Sequence, residues 1–415
     1  MAYGCRITTG GYTDIGRNGR KGVFMSQGEV VVRGMFLGKG RVNDVVVRGG
    51  KVVDISPARD NEHPVGGSSS IIAPPLFDIQ VNGAGGINLQ GDAVTPEHVR
   101  ELTGWLAAWG VSHWVPTIIT GPLASMEKGC KAIAEAMQDK TVAHAVPGIH
   151  LEGPFVSPKD GPRGAHPKKH VRKPSLREFD RLLKAADNRV LYTTVAPELD
   201  GAANFIRGVV KRGVLVSLGH HNGTETDIEQ AVEAGATMCT HLGNGMAPEI
   251  PRHQNPLWPQ LANDHLTASL IADLHHLPPS VLKTFVRAKG PKNVVLTSDC
   301  VHLAGCKPGT YELAGSPVAL LPEGKIVLSG TDLLAGSALM LLQGVVNATR
   351  VTDMGLKEAF ASATTIPAKL LGLRHRFTLP SVGRKANFIA FEVDTSSTHW
   401  SPLVQAVFIN GERKA

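Results

Sequence analysis

The chain has 415 residues, with 43 lysines and arginines against 36 aspartates and glutamates, 42% hydrophobic residues and 19% charged ones. That composition suits one large folded domain with a smaller companion, and it excludes disordered, collagen-like, coiled-coil and low-complexity chains. The net charge of +7 is partly local, in Lys159, Arg163, Lys168, Lys169, Arg172 and Lys173; such a cluster is ordinarily a solvated loop, more sharply a site for an anionic small molecule. No basic helix or aromatic platform accompanies it, which argues against nucleic acid.

In chain order, residues 1–22 are Gly-rich with scattered charges and lack the apolar core of a signal peptide. Residues 1–29 therefore read as an extension, expected to be disordered. Residues 28–58 alternate as short half-buried strands around the Gly49-Gly50 turn. The Gly, Ser and Pro of 64–75 predict a loop. Residues 386–393 and 404–413 have the strand character again, so 30–73 and 381–415 are expected to form one small β domain around a larger unit at 74–380.

Within 74–380, β-rich runs at 77–81, 113–119, 146–151, 190–195, 214–218, 237–240, 267–272 and 294–298 alternate with helical patterns such as 96–109, 122–137, 175–186 and 225–234. This α/β alternation predicts a (β/α)8 TIM-type barrel with a small β-sandwich domain formed by both chain ends. Asn82-Gly-Ala-Gly-Gly is too weak a match to the dinucleotide fingerprint to favour a doubly wound sheet. The run 333–349 contains Gly336, Ser337, Gln343, Gly344 and Asn347 and reads as a buried helix, not a membrane span. Five scattered cysteines show neither metal-knuckle nor disulfide spacing, which fits a reducing, cytoplasmic setting.

Polar residues stand where the strands end: Glu152, His220, His241 and Asp299. In a barrel those ends converge on one face. Two imidazoles and a carboxylate make a three-ligand shell that leaves zinc an open position, and a further carboxylate can act as base. One such residue alone is more often a cap or turn residue; the four together point to a metal site.

The segments His150-Leu-Glu-Gly-Pro-Phe, Arg163-Gly-Ala-His-Pro, Ser217-Leu-Gly-His, Thr240-His-Leu-Gly-Asn-Gly-Met, Ile271-Ala-Asp-Leu-His-His, Leu296-Thr-Ser-Asp and Leu334-Ala-Gly-Ser resemble the ordered motifs of the N-acetylglucosamine-6-phosphate deacetylases of the amidohydrolase superfamily. The resemblance runs from residue 30 to residue 411. It implies that Glu152, His220 and His241 hold one divalent metal per chain, usually zinc, and that Asp299 takes the proton of the attacking water and passes it to the leaving amine. His166 then polarises the amide carbonyl, with Ala165 beside it in the substrate pocket. Asn244, Gly245 and His276 receive the phosphate together with Arg252, which the neighbouring subunit of a homodimer contributes, and Leu334, Ala335 and Gly336 contact the sugar.

Where many amidohydrolases place His-x-His for a second metal, this chain has Gln80 and Asn82, which are poor zinc ligands. A single metal follows. Gly243, Gly245, Leu274, Ser298 and Cys300 depart from the family pattern near the sugar pocket, so the chemistry is better defined than the sugar. The expected reaction is hydrolysis of the acetamido group of an N-acetylhexosamine 6-phosphate to acetate and the amino sugar phosphate, with neither nucleic acid nor membrane as partner. The alternatives are a related amidohydrolase acting on another acylated amine or a cyclic amide, and a non-catalytic sugar-phosphate-binding barrel.

Overall fold

The computed structural model describes residues 28–59, 63–313, 316–374 and 377–415. The extension expected at 1–29 lies outside them, except that Glu29 already begins a strand.

Eight parallel strands, Leu76–Val81, Val111–Ile119, Ile149–Glu152, Val190–Val195, Leu215–Leu218, Ala236–Cys239, Thr267–Ile271 and Val294–Thr297, neighbour one another in sequence order. A bridge between Val81 and Cys300, with the Asn82 N–H donating to the Cys300 carbonyl at 2.8 Å, joins the last to the first and closes the barrel. Helices cover the outside, so strand residues are buried on both faces and the sequence reads as unbroken apolar runs. All six residues of the first strand are buried. Phe77, Ile79, Val115, Tyr192, Met238 and Val295 form a cluster of their own, as side chains filling a barrel interior should.

The helices begin at polar caps. Thr95 accepts from the His98 N–H ahead of Pro96–Ala108, Ser175 accepts from Glu178 ahead of Leu176–Ala185, and Thr224 with Asp227 makes a capping box ahead of Glu225–Glu233.

A second sheet of seven strands draws on both chain ends, in the order Glu412–Arg413, Ser401–Ile409, Phe388–Asp394, Val65–Ala73, Glu29–Phe36, Val42–Arg48, Lys51–Pro57. It curls until its far edge meets the chain leading into Phe388, where the Val52 N–H donates to the Arg384 carbonyl and the Ala386 N–H to that of Gly50. The two halves enclose Val32, Val45, Val47, Val52, Ile72, Phe388 and Phe408.

Three elements differ from the sequence-based expectation. Residues 65–73 form a strand, not a loop: Val65, Ile71 and Ile72 pair in parallel with Val32, Met35 and Phe36, and Ile71, Ile72 and Ala73 pair antiparallel with Phe391, Ala390 and Ile389. The helix expected over 333–349 starts only at Leu341 and runs to Val351. Before it, Gly336 adopts φ +79° and the Ser337 hydroxyl accepts from the Leu339 N–H, both of which oppose helical continuation. A three-stranded antiparallel sheet at Gly309–Leu313, Ser316–Leu320 and Ile326–Leu328 was not anticipated; it packs on Val301, Leu303 and Ala335. Among the described residues no helix is long and apolar enough to cross a membrane.

Candidate active site

At the C-terminal ends of the barrel strands, Glu152 closes the third strand, while His220 and His241 stand just beyond the fifth and sixth. The Nε2 atoms of His220 and His241 lie 3.1 and 2.9 Å from the same Oε1 of Glu152. All three side chains are buried, and their ligand atoms lie within 4.8 Å of one another. The Gln80 amide donates to that oxygen at 3.1 Å. His220 uses its other ring nitrogen, Nδ1, on the Pro162 carbonyl at 3.0 Å. A proton held there would free Nε2 for a bound cation, the arrangement a metal-binding histidine requires.

Burial alone would raise the Glu152 pKa. Hydrogen bonds from His220 and His241, together with their charge, outweigh it and hold the carboxyl well below the usual carboxylate range. His241 loses basicity to burial but gains more from the Glu152 carboxylate, and its pKa ends above the usual value. One carboxylate and two imidazoles thus stay together by sharing charge, and a divalent cation is the natural occupant of such a donor set. The buried side-chain amide oxygens of Gln80 (Oε1) and Asn82 (Oδ1) and the Nδ1 of His241 lack protein partners, so the pocket still offers polar groups to a cation, a water or a substrate.

Asp299, just past the eighth strand, is fixed by the Asn82 amide, which donates to its Oδ1 at 2.7 Å. Burial first, and then the Glu152 charge, push the Asp299 carboxyl up to about 7, against the opposing pull of His241, His276 and the Asn82 bond. Beneath the site, His150 places Nδ1 3.1 Å from the Thr117 hydroxyl and Nε2 2.8 Å from that of Thr194, and the chain continues through Thr240 to Ser217. Burial pushes His150 down to about 3, so this floor is uncharged.

His166 reaches the cluster from the loop after the third strand, its ring centroid 4.2 Å from that of His220. Its Nδ1 meets the Thr120 hydroxyl at 2.8 Å, and burial, followed by His220, holds its pKa well below the usual histidine value. Arg163 pins this loop by donating to the His166 carbonyl at 2.6 Å and to Asp160. Ala165 is exposed beside it. Thr120 stands just beyond the second strand and escaped the sequence reading, although the strand-end rule that picked out Glu152 applies to it equally.

The expected phosphate residues lie on neighbouring loops. The Asn244 amide donates to the His241 carbonyl at 3.2 Å, and Gly245, at φ +57°, lies so close to His220 that a Cβ there would stand 2.7 Å from Nδ1. His276 Nδ1 is 2.6 Å from Asp273 Oδ2, and Asp273 also accepts two backbone N–H groups. Arg252 is exposed, apart from the buried cluster, and its carbonyl accepts from the indole of Trp258. Leu334 and Ala335 pair with Val327 and Ile326, and Gly336 packs on Val301. His221 is engaged elsewhere, accepting from the Gly223 N–H, while His275 Nε2 meets the Glu323 carbonyl. The thiol of Cys300, pushed up by burial, is inert packing.

A sequence model of the amidohydrolase family matches residues 71–414. The N-acetylgalactosamine-6-phosphate deacetylase of Escherichia coli O157:H7 is 30% identical over 344 residues, covering 83% of this chain and 88% of that one. The N-acetylglucosamine-6-phosphate deacetylase of Bos taurus is 32% identical over 388 residues, covering 89% and 90%. Among solved structures, a mutant N-acetyl-D-glucosamine-6-phosphate deacetylase of Mycobacterium smegmatis in complex with N-acetyl-D-glucosamine-6-phosphate superposes with a TM-score of 0.79 at 25% identity, over 94% of this chain and all of that one.

Proposed function

The chain belongs to the amidohydrolase family, and from that premise we propose that it removes the acetyl group from an N-acetylhexosamine 6-phosphate. The observation that carries this reading is the meeting of Glu152, His220 and His241 at one point, with the Asp299 carboxylate fixed beside them by Asn82. The first three would hold one divalent cation, zinc by the chemistry of a two-imidazole, one-carboxylate set. Such a cation supplies positive charge that acidifies water and polarises a carbonyl oxygen.

The side chains divide the remaining work. Asn82 occupies Oδ1 of Asp299 and leaves Oδ2 to accept a proton from water, which the same carboxyl then returns to the departing amine; both transfers need one group within reach of both atoms. His166 is neutral, and in the tautomer that carries its proton on Nε2, with Nδ1 turned to the Thr120 hydroxyl, it can stabilise the oxygen of the tetrahedral intermediate. Gln80 steadies the shared oxygen of Glu152. Asn244, Gly245 and His276 with Arg252 of a second copy form the proposed phosphate site, and Ala165, Leu334, Ala335 and Gly336 the proposed sugar wall; a guanidinium can hold a phosphate bidentately. A homodimer follows from sharing Arg252. Cys130, Cys239 and Cys300 are buried and free, in keeping with a cytoplasmic setting.

The test is acetate release by purified protein, zinc-loaded and chelator-stripped, from the gluco and galacto N-acetylhexosamine 6-phosphates and from their unphosphorylated forms. Release from at least one phosphorylated sugar, dependent on metal, is expected. Failure on both with one metal bound per chain would exclude this substrate class.

A further inference from the structure

Each barrel strand is joined to the next by a backbone ladder, but at the seam between the eighth and the first, side chains carry much of the joint. Beside the Val81–Cys300 bridge, Asp78 Oδ1 accepts the Thr297 hydroxyl at 2.8 Å, the Ser298 N–H at 3.1 Å and the Gln80 N–H at 3.4 Å. The Ser298 hydroxyl donates to the Gln80 carbonyl at 3.4 Å and accepts from the Cys300 N–H at 3.2 Å. Asp78 is 1% exposed, and these partners are all neutral.

The clasp encloses a strained residue. Asp299 sits at φ +49°, in the left-handed region that side chains other than glycine rarely occupy, and such a conformation persists only where its surroundings over-determine it. Asp78 holds the N–H before it, Ser298 Oγ the N–H after it, and Asn82 the Cys300 carbonyl. Asp78 and Gln80 lie on the first strand and Asn82 follows directly after its end. Gln80 reaches Glu152 and Asn82 reaches Asp299. The first strand is therefore the common frame for the metal-ligand cluster and the proton acceptor, and Asp78 is the point at which that frame grips the eighth strand.

We propose that Asp78 is a positioning residue for the deacetylation: by binding Thr297 and Ser298 it fixes the carboxylate of Asp299 against the Glu152, His220 and His241 cluster. This rests on the reading of Asp299 as the proton acceptor. A frame of this kind acts on kcat, since misplacing a reacting group by about 1 Å costs up to about a hundredfold in rate, and it leaves substrate affinity alone.

The experiment compares Asp78→Ala, Asp78→Asn and Thr297→Val with the zinc-loaded parent, each with and without Asp299→Asn. Asp78→Ala should lower kcat about ten- to a hundredfold with KM within about twofold and one metal still bound. Asp78→Asn keeps an oxygen acceptor in the same place and should return to within about threefold of the parent. Thr297→Val removes one donor without opening a cavity; if Asp78→Ala does not fold, a kcat fall of about three- to tenfold at unchanged KM in this variant carries the test. On the residual rate of Asp299→Asn, Asp78→Ala should add nothing, because the group it positions no longer accepts protons.

Parental kcat in both Asp78→Ala and Thr297→Val overturns the proposal. So does equal damage from Asp78→Ala and Asp78→Asn, or the full Asp78→Ala factor reappearing on top of Asp299→Asn. Retained turnover in Asp299→Asn alone removes the proton acceptor, and the inference falls with that reading; an inactive Asp299→Asn beside an unimpaired Asp78→Ala removes the positioning role only.

Discussion

His220, His241 and Asp299 adopt φ of +51°, +29° and +49°, each at the second position beyond its strand. Where the ladder ends the backbone is free to turn, and a left-handed turn aims the side chain across the barrel mouth; the site is built from strain that the rigid strands below can bear. That is also why these residues stood out in the sequence, as polar interruptions of apolar runs. What Gln80 and Asn82 do was not legible. Their unsuitability as metal ligands follows from their chemistry, but their donation to Glu152 and Asp299 depends on distances across the barrel.

Two predictions belong to single residues. The Asp299 carboxyl, raised to about 7 by burial and then by Glu152, accepts a proton only when ionised, so kcat/KM falls as pH drops through its pKa. A bound divalent cation favours the charged form, which places the acid limb of the loaded enzyme below 7. Asp299→Asn should abolish the limb along with about 10²- to 10⁴-fold of turnover, and a limb unchanged in that variant would assign it to another group. Gly245→Ala introduces a Cβ 2.7 Å from His220 Nδ1 at φ +57°. Tilting that ring should weaken metal binding about ten- to a hundredfold in a chelator competition, and unaltered affinity would mean that the loop can retreat.

At the level of elements, the barrel strands are legible because burial on both faces leaves continuous apolar runs, and the helices because Thr95, Ser175 and Thr224 mark their starts. The strand at 65–73 is not. Gly66, Gly67, Ser68, Ser69 and Ser70 have the composition of a loop, and the segment is extended because partners on both sides take its backbone; the Ser70 hydroxyl accepts from Gly67 and donates to Glu392. Pairing partners more than 300 residues away leave no trace in local propensity. The Thr224 capping box offers a local test. Thr224→Ala should cost about 1 kcal/mol in urea unfolding and leave kcat unchanged, since the helix it starts lies outside the barrel. A loss of activity exceeding the loss of stability would tie that helix to the site.

For the molecule as a whole, exposed Arg252 lies beside Trp258, a side chain 47% exposed, on the rim that holds Asn244 and Gly245. A large aromatic left in solvent next to an arginine is typical of the anchor of a protein interface. Arg252→Ala should raise KM for the phosphorylated sugar about ten- to a hundredfold, the loss of a charge-assisted bond of roughly 1.5–3 kcal/mol. The metal should stay bound and any slow reaction on an unphosphorylated sugar should be unaltered. Light scattering that finds an active monomer would contradict a shared site.

The seven-stranded sheet sets a timetable for synthesis. Val65–Ala73 lies between Glu29–Phe36 and Phe388–Asp394, and Ile389, Phe391, Val407 and Ile409 from the last strands join the barrel's main core. On a ribosome adding about 5–20 residues per second, the first of these strands waits roughly a quarter of a minute to a minute for its far partner. Nascent chains stalled before residue 388 should therefore stay protease-sensitive and bound to chaperones, and emergence of residues 388–409 should confer resistance in one step. Resistant barrels on stalled ribosomes would show that the eight βα units fold without waiting for those last strands.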